Sequence, residues 1–222
     1  MKNLDKVCNS HGVDISANII LKNIDCMDYL KTLEDNAFDL AIVDPPYGII
    51  ERGAQKGGNS EKYKNRAYTN GSISAWDIKP SKEYFVELFR VSKNQIIWGG
   101  NYFELPPTRG IIFWDKMQPF ETYSKGELAW TSFPYPAKLF KFDNRYKGKI
   151  HPTQKPVKLY EWLLMTYGKE GDKILDTHLG SGSIAIACHN LNFDLVGCEI
   201  DKDYFDEAYK RLKIHQSQLT LF

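Results

Sequence analysis

Residues 38–48 read Phe38-Asp39-Leu40-Ala41-Ile42-Val43-Asp44-Pro45-Pro46-Tyr47-Gly48. The first six form a short apolar run enriched in branched residues, which predicts a buried strand of a parallel sheet. The residues that follow then lie beyond the carboxyl end of the strand, where open α/β sheets keep their ligand crevice. The stretch therefore predicts an α/β fold with a binding site beginning at Asp44.

The four residues Asp44, Pro45, Pro46 and Tyr47 favour recognition of an amine. Proline has a fixed φ and no backbone N–H, so the segment offers the Asp44 carboxylate and the Pro45 carbonyl as acceptors. Such a surface suits an NH2 group, and the Tyr47 ring offers a flat face on which an extruded base could stack. A tight turn without further function is the alternative, because Pro and Asp are ordinary turn residues.

The composition limits what the rest of the chain can be. Its 222 residues suffice for one α/β domain with a substantial core. With a net charge of +1, any contact with nucleic acid must come from local patches. The four cysteines lack metal-ligand and disulfide-framework spacing, so we expect reduced thiols and no metal. No signal peptide or bilayer-spanning run is evident, which predicts a cytoplasmic protein.

Two segments flanking the first motif carry further candidate residues. Residues 19–25 predict a strand that ends in Asp25 before a helix, where Asp25 fits a helix N-cap as well as a ligand contact. Residues 49–76 lack periodicity and predict a mobile loop. Its basic and aromatic residues are Arg52, Lys56, Lys62, Tyr63, Lys64 and Arg66. They can hold a phosphate backbone and stack on bases, although a solvated loop would look similar.

The middle of the chain predicts a helix over residues 81–92 and a strand over residues 95–98. The strand leads into Gly99-Gly100-Asn101-Tyr102, which fits either a close approach to a ligand or a plain glycine turn. Further strands are predicted at residues 110–114 and 127–133. The chain is basic beyond them, at Lys138, Lys141 and Arg145.

A proline-bracketed segment follows, His151-Pro152-Thr153-Gln154-Lys155-Pro156. The prolines keep its backbone extended, so Thr153 and Lys155 can project from a rigid segment before a helix predicted over residues 157–167. A linker without further function would also fit this composition.

A strand, a glycine loop and a helix are then predicted over residues 173–190, with Gly180 and Gly182 in the loop that follows Asp176. Such a loop lets a ligand approach closely, and the helix N-terminus favours an anion. The next predicted strand leads to Glu199, where an acid can bind ribose hydroxyls.

Three of these segments resemble motifs of the DNA amino-methyltransferases, chiefly the adenine-N6 enzymes: the motif at Asp44, the proline-bracketed segment at residues 151–156 and the glycine loop. Their order resembles the permuted order of the group often called beta. The resemblance implies one Rossmann-like α/β domain with a mixed, mostly parallel, seven-stranded sheet and helices on both faces. The strands at residues 110–114 and 127–133 would be the last two, one of them antiparallel. The sequence departs from the family pattern at two positions. Glycine is usual where this chain has Ile24, and Asp-Pro-Phe is usual before the glycine loop, where this chain has Asp176-Thr177-His178. We assign no role to His178.

The resemblance also implies roles for individual residues. The catalytic residues would be Asp44, Pro45, Pro46 and Tyr47. S-adenosylmethionine is the implied cofactor, with Thr153 and Lys155 at its methionine carboxylate. The full set of cofactor-binding residues would be Asp25, Thr153, Lys155, Asp176, Gly180, Gly182 and Glu199. Residues 115–150 would form a short target-recognition region. The DNA-binding residues would be Arg52, Lys56, Lys62, Tyr63, Lys64, Arg66, Lys138, Lys141 and Arg145.

We therefore expect a site-specific methyltransferase that moves a methyl group to N6 of an adenine flipped from double-stranded DNA, of a bacterial or phage-encoded restriction-modification type. Cytosine-N4 methylation stays open, because only the residue type at Asp44 favours adenine. A catalytically silent DNA-binding module also stays open.

The end of the sequence suggests a protein partner. A helix predicted over residues 204–213 precedes a tail at 214–222. Four tail residues, Gln218, Leu219, Leu221 and Phe222, resemble the peptide by which bacterial replication proteins dock into the sliding clamp. A tail packed on its own domain is the alternative. A homodimer is a further expectation, since the target-recognition region is short.

Overall fold

The computed structural model describes residues 17–49, 77–121, 124–143 and 154–218. The strands are β1 Ile19–Asn23, β2 Phe38–Val43, β3 Ser92–Trp98, β4 Ile111–Asp115, β5 Gly126–Thr131, β6 Lys138–Lys141, β7 Lys173–Asp176 and β8 Asp194–Glu199. The α-helices are α1 Cys26–Leu30, α2 Lys82–Val91, α3 Val157–Tyr167, α4 Ser183–Leu191 and α5 Lys202–Ser217. A 3-10 turn at Gly100–Tyr102 follows β3.

The described strands form one sheet in the order β1-β8-β7-β2-β3-β5-β4-β6. Strand β5 is antiparallel to both of its neighbours, and the other pairings are parallel. The predicted mixed, mostly parallel sheet is confirmed. Of β4 and β5, the two strands expected to be the last of the sheet, β5 is the antiparallel one. The described part of the chain forms eight strands rather than the seven expected. The additional strand is β6, whose residue Leu139 pairs with Phe113 of β4.

The run at residues 38–43 is the buried strand that its sequence predicts. It lies between β7 and β3 near the middle of the sheet. Its side chains alternate between two apolar clusters: Leu40 and Ile42 pack with α3 and α4, whereas Ala41 and Val43 pack with α2. The sheet is therefore covered by helices on both faces, as expected for this class.

One edge of the sheet collects the candidate residues. The parallel strands β2, β3, β7 and β8 all end there, which brings Asp44 and the loop after Asp176 close together. Because β5 runs in the opposite direction, its first residues reach this same edge. Glu127 is the second residue of β5 and so joins the site from the other direction.

Two expected boundaries differ in the structure. Helix α5 runs from Lys202 to Ser217, longer than the 204–213 predicted, so residues 214–217 are helical rather than part of a tail. Strand β6 lies within the region 115–150 expected to form the target-recognition region, at residues where no strand was predicted. Among the described residues, no helix is long and apolar enough to cross a membrane.

Candidate active site

Asp44 begins the site directly after β2. Its Oδ1 accepts a hydrogen bond of 2.7 Å from the hydroxyl of Tyr47, and its Oδ2 forms a close ion pair with Nζ of Lys155. Burial raises the pKa of Tyr47 strongly and the negative charge of Asp44 adds to that effect, so the phenol keeps its proton and donates it. Each carboxylate oxygen of Asp44 thus has one fixed donor.

The ring of Tyr47 is held by its neighbours. It stacks on Tyr102 with the ring centroids 4.9 Å apart and the planes at 19°, and it meets Phe103 edge-on at 6.1 Å. Oδ1 of Asp77 accepts the backbone N–H groups of Tyr47 at 3.1 Å and of Gly48 at 3.0 Å, which fixes the turn after the prolines. Tyr102 is 39% exposed and presents an aromatic surface to solvent.

Gly99 makes room for this ring. Its φ is +67°, and a Cβ added there would lie 2.2 Å from Cε1 of Tyr47. A side chain at this position would therefore be strained and would collide with the ring. The sequence predicted that the glycines after β3 would allow either the close approach of a ligand or a plain turn. At Gly99 the group that approaches closely is the ring of Tyr47.

Lys155 links Asp44 to a second carboxylate. Its side chain is 3% exposed, and Nζ lies 3.0 Å from Oε2 of Glu127 and 5.1 Å from the ring centroid of Trp98. Glu127 is held in turn by Lys116, with Nζ 2.5 Å from Oε1. Burial opposes the charged forms of both Lys155 and Glu127, but their opposite charges prevail: the pKa of Lys155 is raised and that of Glu127 is lowered to about 2. Lys155 and Glu127 are therefore both charged at neutral pH.

Lys155 has partners within the protein that the sequence did not predict. The sequence placed its ammonium at the methionine carboxylate of the cofactor, but both of its ion-pair partners are side chains of the protein. Thr153, its companion in that expectation, lies outside the described residues. Sequence reasoning also missed Glu127, Lys116 and Asp77, because nothing local marks them and their partners are distant in the chain.

The glycine loop lies beside Asp44, at the end of the neighbouring strand β7. Gly180 has φ +50°, and a Cβ there would meet only the carbonyl oxygen of His178, at 3.9 Å. Its N–H donates to Oε2 of Glu199 at 2.8 Å, and Oε1 of Glu199 accepts from the N–H of Asp201 at 3.0 Å. The loop thus has open space next to a carboxylate, which fits a ligand that approaches its backbone and carries hydroxyl groups. Gly182, with φ +68°, then precedes α4.

Asp176 and His178 lie beneath this loop. Burial raises the pKa of Asp176 to about 8, although its Oδ1 accepts the N–H of His178 at 3.0 Å. Burial lowers the pKa of His178 to about 4, and its Nδ1 lies 2.8 Å from Oγ1 of Thr177. That same Oγ1 lies 2.6 Å from the hydroxyl of Tyr84 on α2. His178 therefore fastens the loop to the fold, a role that the sequence left unassigned.

The remaining predicted residues divide into two groups. Asp25 acts as the N-cap of α1, since its side chain accepts the N–H of Met27 at 2.7 Å; of its two expected roles, this one is observed. Lys138 and Lys141 lie on β6, the first half-buried and the second exposed. Gln218 follows α5. The following lie outside the described residues: Arg52, Lys56, Lys62, Tyr63, Lys64, Arg66, Arg145, Thr153, Leu219, Leu221 and Phe222.

Comparison with known proteins shows similarity to DNA methyltransferases. A family model described as DNA methylase, of the N6/N4 type, matches residues 113–210. The type II methyltransferase M.HpaI of Haemophilus parainfluenzae is 28% identical, over 82% of this chain and 70% of the relative. The type II methyltransferase M2.LlaDCHI of Lactococcus lactis subsp. cremoris is 29% identical, over 88% of this chain and 89% of the relative. These matches support placing the chain among the DNA N4/N6 amino-methyltransferases.

Solved structures of other DNA methyltransferases confirm the predicted fold. The M1.HpyAVI–SAM complex superposes with a TM-score of 0.57 at 20% identity, over 87% of this chain and 98% of the other. The PvuII DNA methyltransferase, described as cytosine-N4-specific, superposes with a TM-score of 0.58 at 13% identity, over 90% of this chain and 92% of the other.

Gly99→Ala should lower the rate of DNA methylation by displacing Tyr47. Gly171→Ala is the matched control, because Gly171 also has a positive φ, +85°, but has no other atom within 4 Å of the Cβ position. Both variants should lose about 1–2 kcal/mol of unfolding free energy from backbone strain. Only Gly99→Ala should also lose turnover, measured as methyl incorporation into DNA. Equal turnover in the two variants would contradict the role given to Gly99.

Asp176→Asn should change how stability depends on pH. The folded protein holds the Asp176 proton with a pKa of about 8, against an ordinary value of 3.8, so the wild-type unfolding free energy should fall as pH rises between those values. The Asn variant has no proton to lose at this position. The difference in unfolding free energy between the Asn variant and wild type should therefore shift in favour of the variant as pH rises through this range. Urea unfolding at several pH values measures it.

Asp39→Asn is the control for that experiment, because the stability contributed by Asp39 should depend on pH in the opposite direction. Burial opposes ionisation of Asp39, but hydrogen bonds from Lys173 and Lys93 prevail and lower its pKa. The stability that Asp39 contributes is therefore lost as pH falls rather than as it rises. Parallel pH profiles for wild type and Asp176→Asn would refute the assignment to Asp176.

Proposed function

We propose that the chain transfers a methyl group from S-adenosylmethionine to the N6 amine of an adenine in double-stranded DNA. DNA methylation of the N4 or N6 type follows from the family, whereas the base and the residue roles are our proposal. The observation that carries it is the Asp44 carboxylate, which has one donor on each oxygen and stands beside the Pro45 carbonyl at the edge shared with the glycine loop.

The cofactor would lie along the ends of β7 and β8. The open space beside Gly180 supports its close approach, and Glu199 is placed for its ribose hydroxyls. The M1.HpyAVI structure is described as a complex with SAM, which agrees with this choice. When bound, S-adenosylmethionine supplies an electrophilic methyl group. Asp25, Asp176 and Gly182 would shape the site around it rather than react.

Asp44 and Pro45 would prepare the amine for attack. An amine on an aromatic ring is a poor nucleophile because its lone pair is delocalised into the ring. Two acceptors, the Asp44 carboxylate and the Pro45 carbonyl, can each take one N–H bond and favour a pyramidal nitrogen with an available lone pair. The nitrogen gains the methyl group and then loses a proton, so Asp44 need not remove that proton first.

The aromatic pair Tyr47 and Tyr102 would receive the flipped base. Enzymes that act on extruded bases stack them on aromatic side chains. Tyr102 lies against Tyr47 and is the more exposed of the two rings, so it extends the surface that Tyr47 was expected to provide alone. Contacts with the DNA backbone are assigned to the basic residues predicted from the sequence, including Lys138 and Lys141.

Cytosine-N4 methylation is the second candidate, since its amine poses the same chemical problem. A structural neighbour, the PvuII enzyme, is described as cytosine-N4-specific. The choice of adenine rests on the aspartate at position 44. Clamp docking through the tail and a homodimer stay predictions.

The base can be identified by expressing the protein in a host that lacks DNA methylation. Nucleosides from its DNA, separated by mass spectrometry, should contain N6-methyladenine, and long-read sequencing should place it in one sequence context. N4-methylcytosine as the product would overturn the choice of base. No methylated base, together with no binding of labelled S-adenosylmethionine, would favour the silent DNA-binding module.

Asp44→Ala should abolish turnover and leave the affinity for S-adenosylmethionine near that of wild type, because Asp44 faces the amine rather than the cofactor. Methyl incorporation and calorimetric titration measure the two quantities. Asp39→Ala, at the other end of the same strand, is the matched control and should stay active. Unchanged turnover in Asp44→Ala would refute the catalytic assignment.

A further inference from the structure

The ammonium group of Lys155 occupies an unusual position for a residue of a predicted cofactor motif. It is enclosed between the carboxylates of Asp44 and Glu127 and lies near the face of Trp98. Lys155 lies two residues before the start of α3, and it is 111 positions from Asp44 in the sequence. The contact therefore joins the segment before α3 to the residue that follows β2.

We infer that Lys155 is a positioning residue for the methyl-transfer reaction, holding the Asp44 carboxylate in the orientation that receives the amine. This inference rests on the function proposed for Asp44. Lys155 fixes Oδ2 while the Tyr47 hydroxyl fixes Oδ1, so the carboxylate is held at both oxygens. An ionised carboxylate has about four lone-pair sites, so one site on each oxygen remains for the substrate.

Glu127 determines where Lys155 itself sits. A lysine ammonium is a point charge on a flexible stem, so one carboxylate alone would leave its position loosely defined. Glu127, on β5, forms a second ion pair with the ammonium through Oε2. Lys116 pairs with Oε1, the other oxygen of Glu127. The four alternating charges form a chain in which each member is fixed by the next.

The cofactor carboxylate is a poor alternative partner for Lys155. The side chain of Lys155 is 3% exposed and its ammonium already faces two carboxylates, so a third would have to enter an enclosed site next to two like charges. Such an arrangement is costly, because like charges in a site of low polarity repel strongly. The two roles also predict different effects of removing the charge.

Lys155→Met tests the inference, because it keeps an unbranched side chain and removes the charge. We expect kcat to fall by about 100-fold, the loss typical of a misplaced reacting group, with an unchanged Kd for S-adenosylmethionine and a little-changed KM for DNA. Lys155→Arg should recover part of kcat, since it restores a cation. Lys158→Met on α3 is the matched control, because Lys158 is 68% exposed and pairs only with Glu161 among the ion pairs of the described chain.

The outcomes separate this inference from the proposed function. A weaker Kd for S-adenosylmethionine with unchanged kcat would overturn the inference and return Lys155 to the cofactor site. Wild-type kcat in Lys155→Met, with Asp44→Ala inactive, would overturn it and leave the role of Asp44 standing. An active Asp44→Ala would remove the proposed function itself.

A second variant covers the case in which Lys155→Met does not fold. Glu127→Gln keeps the shape of the side chain and an acceptor oxygen, and it removes only one of the two charges that hold Lys155. It should lower kcat by less than Lys155→Met, without changing the cofactor Kd. A double-mutant cycle of Glu127→Gln with Lys116→Met should show non-additive losses of kcat, because both changes act through Lys155. Additive losses, or unchanged kcat in Glu127→Gln, would refute the positioning chain.

Discussion

The catalytic edge depends on pairing one buried ammonium group. Removing a lysine charge from water costs several kcal/mol unless opposite charges compensate it, and Lys155 is compensated by Asp44 and Glu127. These three residues come from the segment before α3, the end of β2 and the start of β5. The ammonium of Lys155 is compensated on both sides only when the other two segments are in place. The pairing therefore makes the geometry of the site a condition of a well-packed fold.

The antiparallel strand β5 makes this convergence possible. In a wholly parallel sheet, only the carboxyl ends of strands would meet at the edge where Asp44 lies. Strand β5 instead brings its beginning there. Ala129 pairs with Trp98, and Glu127 lies two residues earlier on the same face of the strand. Glu127, the ring of Trp98 and Lys155 consequently meet on the side of the sheet that α3 covers.

Local patterns in the sequence predicted most of the fold. Strand β7 and helix α3 have the predicted bounds, because an apolar run and a proline before a helix are local signals. Strand β6 was missed because its four residues include two lysines, so its composition indicated a surface segment rather than a strand. Helix α5 continues to Ser217 through polar residues that give no sign of a helix end.

The site was harder to predict than the fold because its contacts are distant in the chain. The Asp44 motif and the glycine loop could be found from spacing alone. The partner of Lys155 could not be found in this way. A lysine two residues after a threonine and directly before a proline suits a carboxylate of the cofactor as well as a carboxylate of the protein. Gly99 gave a correct signal of close approach, but sequence cannot tell whether a ligand or the ring of Tyr47 makes that approach.

The ion pair also constrains which residue can occupy position 44. An asparagine would offer a single acceptor oxygen, and its NH2 group would face either the ammonium of Lys155 or the hydroxyl of Tyr47. The Tyr47 hydroxyl can accept a hydrogen bond from that NH2 group, but Lys155 would retain only Glu127 as a counter-charge. Such an exchange would be costly, because an incompletely compensated buried charge is strongly destabilising. Aspartate at position 44 therefore suits lysine at position 155 better than asparagine would, and the acceptor that we propose for the substrate amine depends partly on this ion pair.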